Sequence, residues 1–207
     1  ARAKGAQERS VVLGHALPNA LLPVITISGV LLGFVLGGSV AVEQAFGVPG
    51  LGRSLVTALV AGFVATHIAT VTGYWLSGVG LANLDFSLFN GILLVPKSDP
   101  QSQFILGGIF HYMTGISYAL VYVYLIHPLI PLPNTTRGNL TKGLFFGIVL
   151  GLISALWWVP VLFPQFNAGF LTLNFGWKTL VSIFVWHAIW GINMGALYNP
   201  YPADEAN

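Results

Sequence analysis

The chain has 207 residues, of which 55% are hydrophobic and only 7% charged, and its mean hydropathy is +0.79. Water-soluble domains carry about 25% charged residues, so there is no polar surface here to clothe a soluble body, and the composition points to an all-α, polytopic integral membrane protein. The net charge of +2 therefore bears on topology rather than on nucleic acid, which is excluded as a partner. The absence of cysteine excludes disulfides, Cys-bound zinc, iron–sulfur clusters and thiol catalysis.

The opening stretch, ARAKGAQERSVVLGHALPNALLPVITISGV, holds four of the charged residues (Arg2, Lys4, Glu8 and Arg9) within its first nine positions. Arg2 to Leu17 predicts a short helix with Val12, Leu13, Ala16 and Leu17 on one apolar side. Gly5 and Gly14 weaken it, and Pro18 is expected to close it before a spanning run begins. No secretory signal peptide is recognised, because the first ten residues are polar and the apolar run that follows is too long.

A bilayer core asks for roughly 20 apolar residues per helix, and charge-free runs of that length predict five spans: Ala20 to Val42, Leu55 to Gly78, Phe104 to Ile126, Gly143 to Phe163 and Thr179 to Tyr198. Trp75, Trp157, Trp158, Trp177, Tyr198 and Tyr201 fall toward their ends, where amphipathic rings prefer the interface. Pro160 is expected to kink or stop the fourth span. The stretch LANLDFSLFNGILLVP, with Asp85 and Asn90 inside it, is too short and polar to span and predicts an interfacial or re-entrant helix. GFVLGG at 33–38 reads as a helix-packing face, since it lacks the Lys-Ser/Thr end of a phosphate loop.

Placing the N-terminus in the cytoplasm puts five Lys and Arg residues inside and three outside, a small excess in the expected direction. The last four spans taken alone prefer the reverse orientation. Asn134 and Asn139 open Asn-x-Thr triplets that match the glycosylation pattern by chance as often as by use. No Ser-His-Asp constellation or His-Glu-x-x-His run occurs, so the chain is not read as an enzyme.

The spacing of the opening stretch resembles the cytoplasmic loop of ABC importer permeases, whose pattern is Glu-Ala-Ala, three residues, Gly, nine residues, then Ile, any residue, Leu and Pro. Here Gly5 is followed by nine residues and then His15, Ala16, Leu17 and Pro18. Together with LLGFVLGGSVAVEQAFGVPGLGRSLVTAL, residues 1–59 resemble the C-terminal part of dipeptide and oligopeptide permeases. That resemblance implies a coupling-type helix that docks on an ABC ATP-binding subunit through Ala1, Gly5, His15, Leu17 and Pro18. It also implies a second permease subunit as partner and the bacterial inner (plasma) membrane as location. The motif's Glu and first Ala would precede Ala1, so the chain reads as beginning within the motif. Residues 47–52 would form an extracellular turn, and Arg53 to Leu59 an amphipathic helix on the outer face.

After Leu59 the resemblance is not followed further, and residues 60–207 form a four-helix membrane domain loosely similar to small bacterial membrane proteins of unknown function. Membrane-embedded ionisable groups are functional candidates. His67, His111 and His187 are accordingly the candidate ligands of a haem or chlorin, the alternative to a reading with no cofactor. Gly107, Gly108, Gly115 and Ser117 beside His111 leave room for a flat ring or for a neighbouring helix. On that alternative the chain is an accessory subunit of a membrane complex. The bland reading of each His, including His127 before Pro128, is a neutral ring hydrogen-bonded across the bundle or placed at its interface.

Overall fold

The structure, a computed structural model that describes residues 5, 7–46 and 50–199, is built from helices and turns, with no strand among the described residues. Five helices are long and apolar enough to cross a membrane: Glu8–Glu43, Leu51–Val79, Pro100–Leu129, Thr136–Leu162 and Trp177–Leu197. Their α-helical bodies are α1 (Leu17–Phe46), α2 (Leu51–Trp75), α4 (Pro100–Val121), α5 (Thr136–Ile153) and α6 (Trp177–Leu197), with a short α3 (Phe86–Leu94) between α2 and α4.

Most helices start earlier than the charge-free runs suggest, because charged residues enter them: Arg53 lies in α2, Arg137 and Lys142 in α5, and Lys178 in α6. Lys142 is 2% exposed and its Nζ donates to Asn134 Oδ1 at 2.8 Å, so its charge does not end the helix. Arg53 to Leu59 accordingly form the first turns of α2 rather than a separate outer helix.

Proline shapes the helices differently from the sequence expectation. Pro18 does not close a helix. The chain runs from Glu8–Val11 through a π-turn at Val12–Ala16 directly into α1. A π-turn also covers Tyr122–Ile126 ahead of Pro128, and another covers Ser154–Trp158 ahead of Pro160. In each case the residue before proline donates its N–H five residues back, Leu17 to Val12, His127 to Tyr122 and Val159 to Ser154. Proline lacks an N–H and clashes with the carbonyl four residues back; widening the preceding turn relieves both faults. The helix that contains Pro160 then ends at Leu162.

The described residues divide at Arg53/Ser54 into two compact units. In the first, the most apolar window of the spanning helix is 0% buried, and Gly33, Gly37 and Gly38 face open space. GFVLGG therefore has no packing partner among the described residues of this unit. Glu43 does more than mark a helix end: its two carboxylate oxygens accept from Gly52 N at 3.1 Å and Arg53 N at 2.7 Å, capping α2.

In the second unit, backbones approach through glycines. A Cβ on Gly147 would strike the His187 carbonyl, and one on Gly195 the Asn139 carbonyl, so α5 and α6 cross in close contact. Gly91 on α3 meets the backbone of Gln103 on α4, and Gly107 meets Ser87 and Gly91. The glycines near His111 thus admit helices, with Gly115 against Thr66 of α2. The side of α2 that joins this core is small throughout: Ala58, Ala61, Ala65 and Ala69 are at most 2% exposed, and Trp190 and Met194 fill the space beside them. Asp85, Asp99 and Thr135 cap α3, α4 and α5 by accepting from Leu88 N, Ser102 N and Gly138 N. At nine residues α3 rises about 14 Å, under half of a bilayer core of about 30 Å, so it does not span.

Candidate functional site

Of the docking residues, Ala1 lies outside the described residues, while Gly5, His15, Leu17 and Pro18 are all exposed. Gly5 sits in a turn at φ +75°, a conformation costly for any residue with a Cβ. Val12, Leu13 and Leu17 are 43%, 52% and 43% exposed, an apolar edge left uncovered by the described residues of its own unit. Because the π-turn carries the backbone through Pro18 without a break, this edge and the spanning helix form one continuous rod.

The structure separates the three candidate histidines. His67 is on the exposed side of α2, hydrogen-bonded through Nδ1 to Tyr112 OH at 2.7 Å and flanked by Phe63. His111 and His187 instead meet in the interior, 6% and 9% exposed. Their ring centroids lie 5.4 and 4.9 Å from Trp186, and 5.7 and 6.0 Å from Phe86. Between them is a cavity of about 60 Å³ whose wall includes Asn90, Trp158 and Trp190. Ligand pockets for drug-sized molecules run to about 300–1,000 Å³, so this space does not admit a haem or chlorin ring. No group of three or more His, Cys, Asp or Glu side chains that would hold a metal occurs among the described residues.

Hydrogen bonds fix this region. Thr70 Oγ1 lies 2.6 Å from Thr66 O and 2.9 Å from His111 Nε2; His187 Nδ1 lies 2.7 Å from Ile183 O; Trp190 Nε1 donates to Thr66 Oγ1 at 3.0 Å. Asn90 Oδ1 and Trp186 Nε1 are buried without a partner. Sequence reasoning missed Thr70, Phe86 and Trp186. The available signal was Trp186-His187 with Trp190 one turn on, aromatic rings in the middle of an apolar run rather than at its ends.

His127, near the end of its span, is hydrogen-bonded across the bundle. It is 5% exposed, its Nε2 lies 3.0 Å from Asn139 Oδ1, and Asn139 Nδ2 donates to Asn199 Oδ1 at 3.0 Å. Asn139, at 1% exposure, is a buried junction and not an accessible glycosylation acceptor.

An all-helical chain with five spanning helices and an exposed, motif-bearing segment leading into the first of them is an integral membrane protein of the transport-permease class. The chain belongs to the family described as binding-protein-dependent transport system inner membrane component, whose model matches residues 1–129. The match continues past residue 59 through α2, α3 and α4. Over 56 residues the chain is 61% identical to the glutathione transport system permease protein GsiC of Pectobacterium atrosepticum, and 59% identical to that of Escherichia coli strain K12. Each alignment covers 27% of this chain and 18% of the relative, so the matched part is under a fifth of the relatives' length. No solved structure matches the chain.

Proposed function

We propose that the chain acts as a permease-type transmembrane subunit, or part of one, in an ABC importer of peptides, and that residues 5–18 form its docking element for the ATP-binding subunit. The carrying observation is the exposed edge of Val12, Leu13 and Leu17 on a segment continuous with α1. A docking element must present apolar contacts and be joined to a spanning helix, and the exposure of this edge and its continuity with α1 support that reading. The glutathione permeases among its relatives support a peptide-like substrate. On this reading the N-terminus is cytoplasmic, and a second permease subunit and a substrate-binding protein complete the importer. The family match over residues 1–129 carries the permease-like part past residue 59, so on this reading any appended membrane domain begins after it.

Co-purification with the cognate ATP-binding subunit, and stimulation of its ATP hydrolysis, test the proposal. Leu17→Glu should abolish both, and replacing Arg2, Lys4 and Arg9 together by Gln should leave both in place. Gly5→Glu should fail as well, with Gly5→Ala separating the backbone strain at φ +75° from the steric clash. Loss on the triple Gln change with retention on Leu17→Glu would show a juxtamembrane anchor instead.

A further inference from the structure

Among the described residues, Lys142 is a buried cation without an opposite charge beside it. Its side chain is 2% exposed and reaches back toward the start of its own helix, α5, where Nζ donates to Asn134 Oδ1 at 2.8 Å. The Pro133 carbonyl packs against Gly138, one turn earlier on the same face, at the place where a Cβ would stand. An ammonium has three donors, and Asn134 takes one. The other two have no acceptor among the described residues.

No described carboxylate of the second unit can reach this ammonium. Asp85 and Asp99 cap α3 and α4, and α3 packs on the first turns of α4, with Gly91 against Gln103. Lys142 lies one turn beyond Asn139, which bonds His127 near the far end of the span Pro100–Leu129. That span has 30 residues and is about 45 Å long. The cation also stands at the positive end of the α5 dipole, where an uncompensated ammonium is least favoured.

The surface in front of it is built from donors. Thr135, Thr136 and Arg137 are exposed. Thr135 Oγ1 accepts from Gly138 N and keeps its hydroxyl hydrogen to donate. The N–H groups of Thr136 and Arg137 belong to the unpaired first turn of α5 and have no acceptor among the described residues. The Arg137 guanidinium pairs with no carboxylate there. Thr136 begins a spanning helix, so this array lies where hydrocarbon meets headgroups. A guanidinium, free helix N–H groups and a positive charge behind Asn134 call for a phosphate, and a lipid carries one at this depth. A choline headgroup would bring a further cation to the site, whereas a headgroup of net negative charge brings none. We infer that the start of α5, with Arg137 in front and Lys142 behind, is a binding site for an anionic phospholipid headgroup. The site lies beyond the family-matched residues 1–129 and stands independently of the docking proposal.

Thermal unfolding of the purified full chain in neutral-detergent micelles with added lipid tests this. Phosphatidylglycerol should raise the midpoint saturably. Phosphatidylcholine, which has no net charge, and sodium phosphate at matched ionic strength should not. Arg137→Gln changes an exposed side chain, so the fold should hold while the half-saturating phosphatidylglycerol concentration rises about tenfold. Lys142→Met keeps an apolar stem and removes the buried charge; it should match or exceed the parent's midpoint without lipid and lose most of the phosphatidylglycerol shift. Lys178→Gln, at the opposite end of the antiparallel pair α5 and α6, should leave that shift intact. An equal shift with phosphatidylcholine would mean general stabilisation by lipid, and an equal shift with phosphate a soluble-anion site; either overturns the proposal. So would a phosphatidylglycerol shift unchanged in both Arg137→Gln and Lys142→Met. Asp204 and Glu205 lie outside the described residues. A shift that appears only when they are replaced, in Asp204→Asn/Glu205→Gln, would assign the site to the chain's own carboxylates instead.

Discussion

Gly143 and Gly191 oppose each other reciprocally: a Cβ on Gly143 would strike the Gly191 carbonyl oxygen, and a Cβ on Gly191 would strike that of Gly143. Lipid tails are as apolar as Leu side chains, so helices in a membrane associate through close packing rather than through expulsion of water. Gly191→Leu should therefore destabilise the second unit by at least the 1–3 kcal/mol typical of overpacking, read as a lowered midpoint in thermal or denaturant unfolding. Gly33→Leu, which enters open space, should leave that midpoint unchanged.

Asn139 links His127 to Asn199 and so ties the end of α6 to α5. Asn139→Leu leaves the His127 ring buried and unmatched, while Asn199 is exposed and adds little, and about 1–3 kcal/mol of stability should be lost. A variant as stable as the parent would show that the two hydrogen bonds contribute nothing net.

Asp99 precedes α4 outside the span, and its carboxyl is held below its ordinary value, first by the Ser102 hydroxyl and then by the Ser102 backbone N–H. A carboxylate depressed by folding contributes stability that is fully present above its unfolded value and is lost as pH falls through the folded one. Asp99→Ala should therefore be less stable than the parent at neutral pH, with the difference shrinking to nothing in acid below the usual carboxylate range. Parallel unfolding curves from neutral to strongly acid pH read this directly, and a difference that does not change with pH would contradict it.

The non-spanning α3 makes a prediction about topology. Val79 and Ser98 flank it and are exposed, and with no native cysteine each can carry a single label. Val79→Cys and Ser98→Cys should react with an impermeant maleimide from the same side of the membrane. Labelling from opposite sides would mean that residues 79–98 cross it.

The membrane setting, the five spans and the short helix between the second and third were legible along the chain, because each follows from local quantities: charge-free length, hydropathy and the polar residues that interrupt an apolar run. The sequence also carried the permease motif in residues 1–59, since spacing along a chain survives without a structure. Which residues meet could be read only from the fold. Pro18 looks like a helix breaker until a π-turn is seen to absorb it, an adjustment in hydrogen-bond register that no residue announces, whereas the helix with Pro160 does stop at Leu162, as expected. GFVLGG and the glycines of α5 and α6 have the same pattern, yet only the latter pack in their own unit, because the partner of a small-residue face lies far along the chain. His67, His111 and His187 are equivalent in the sequence; helix rotation turns His67 outward to Tyr112 and buries the other two beside Phe86 and Trp186, a juxtaposition that belongs to the fold alone.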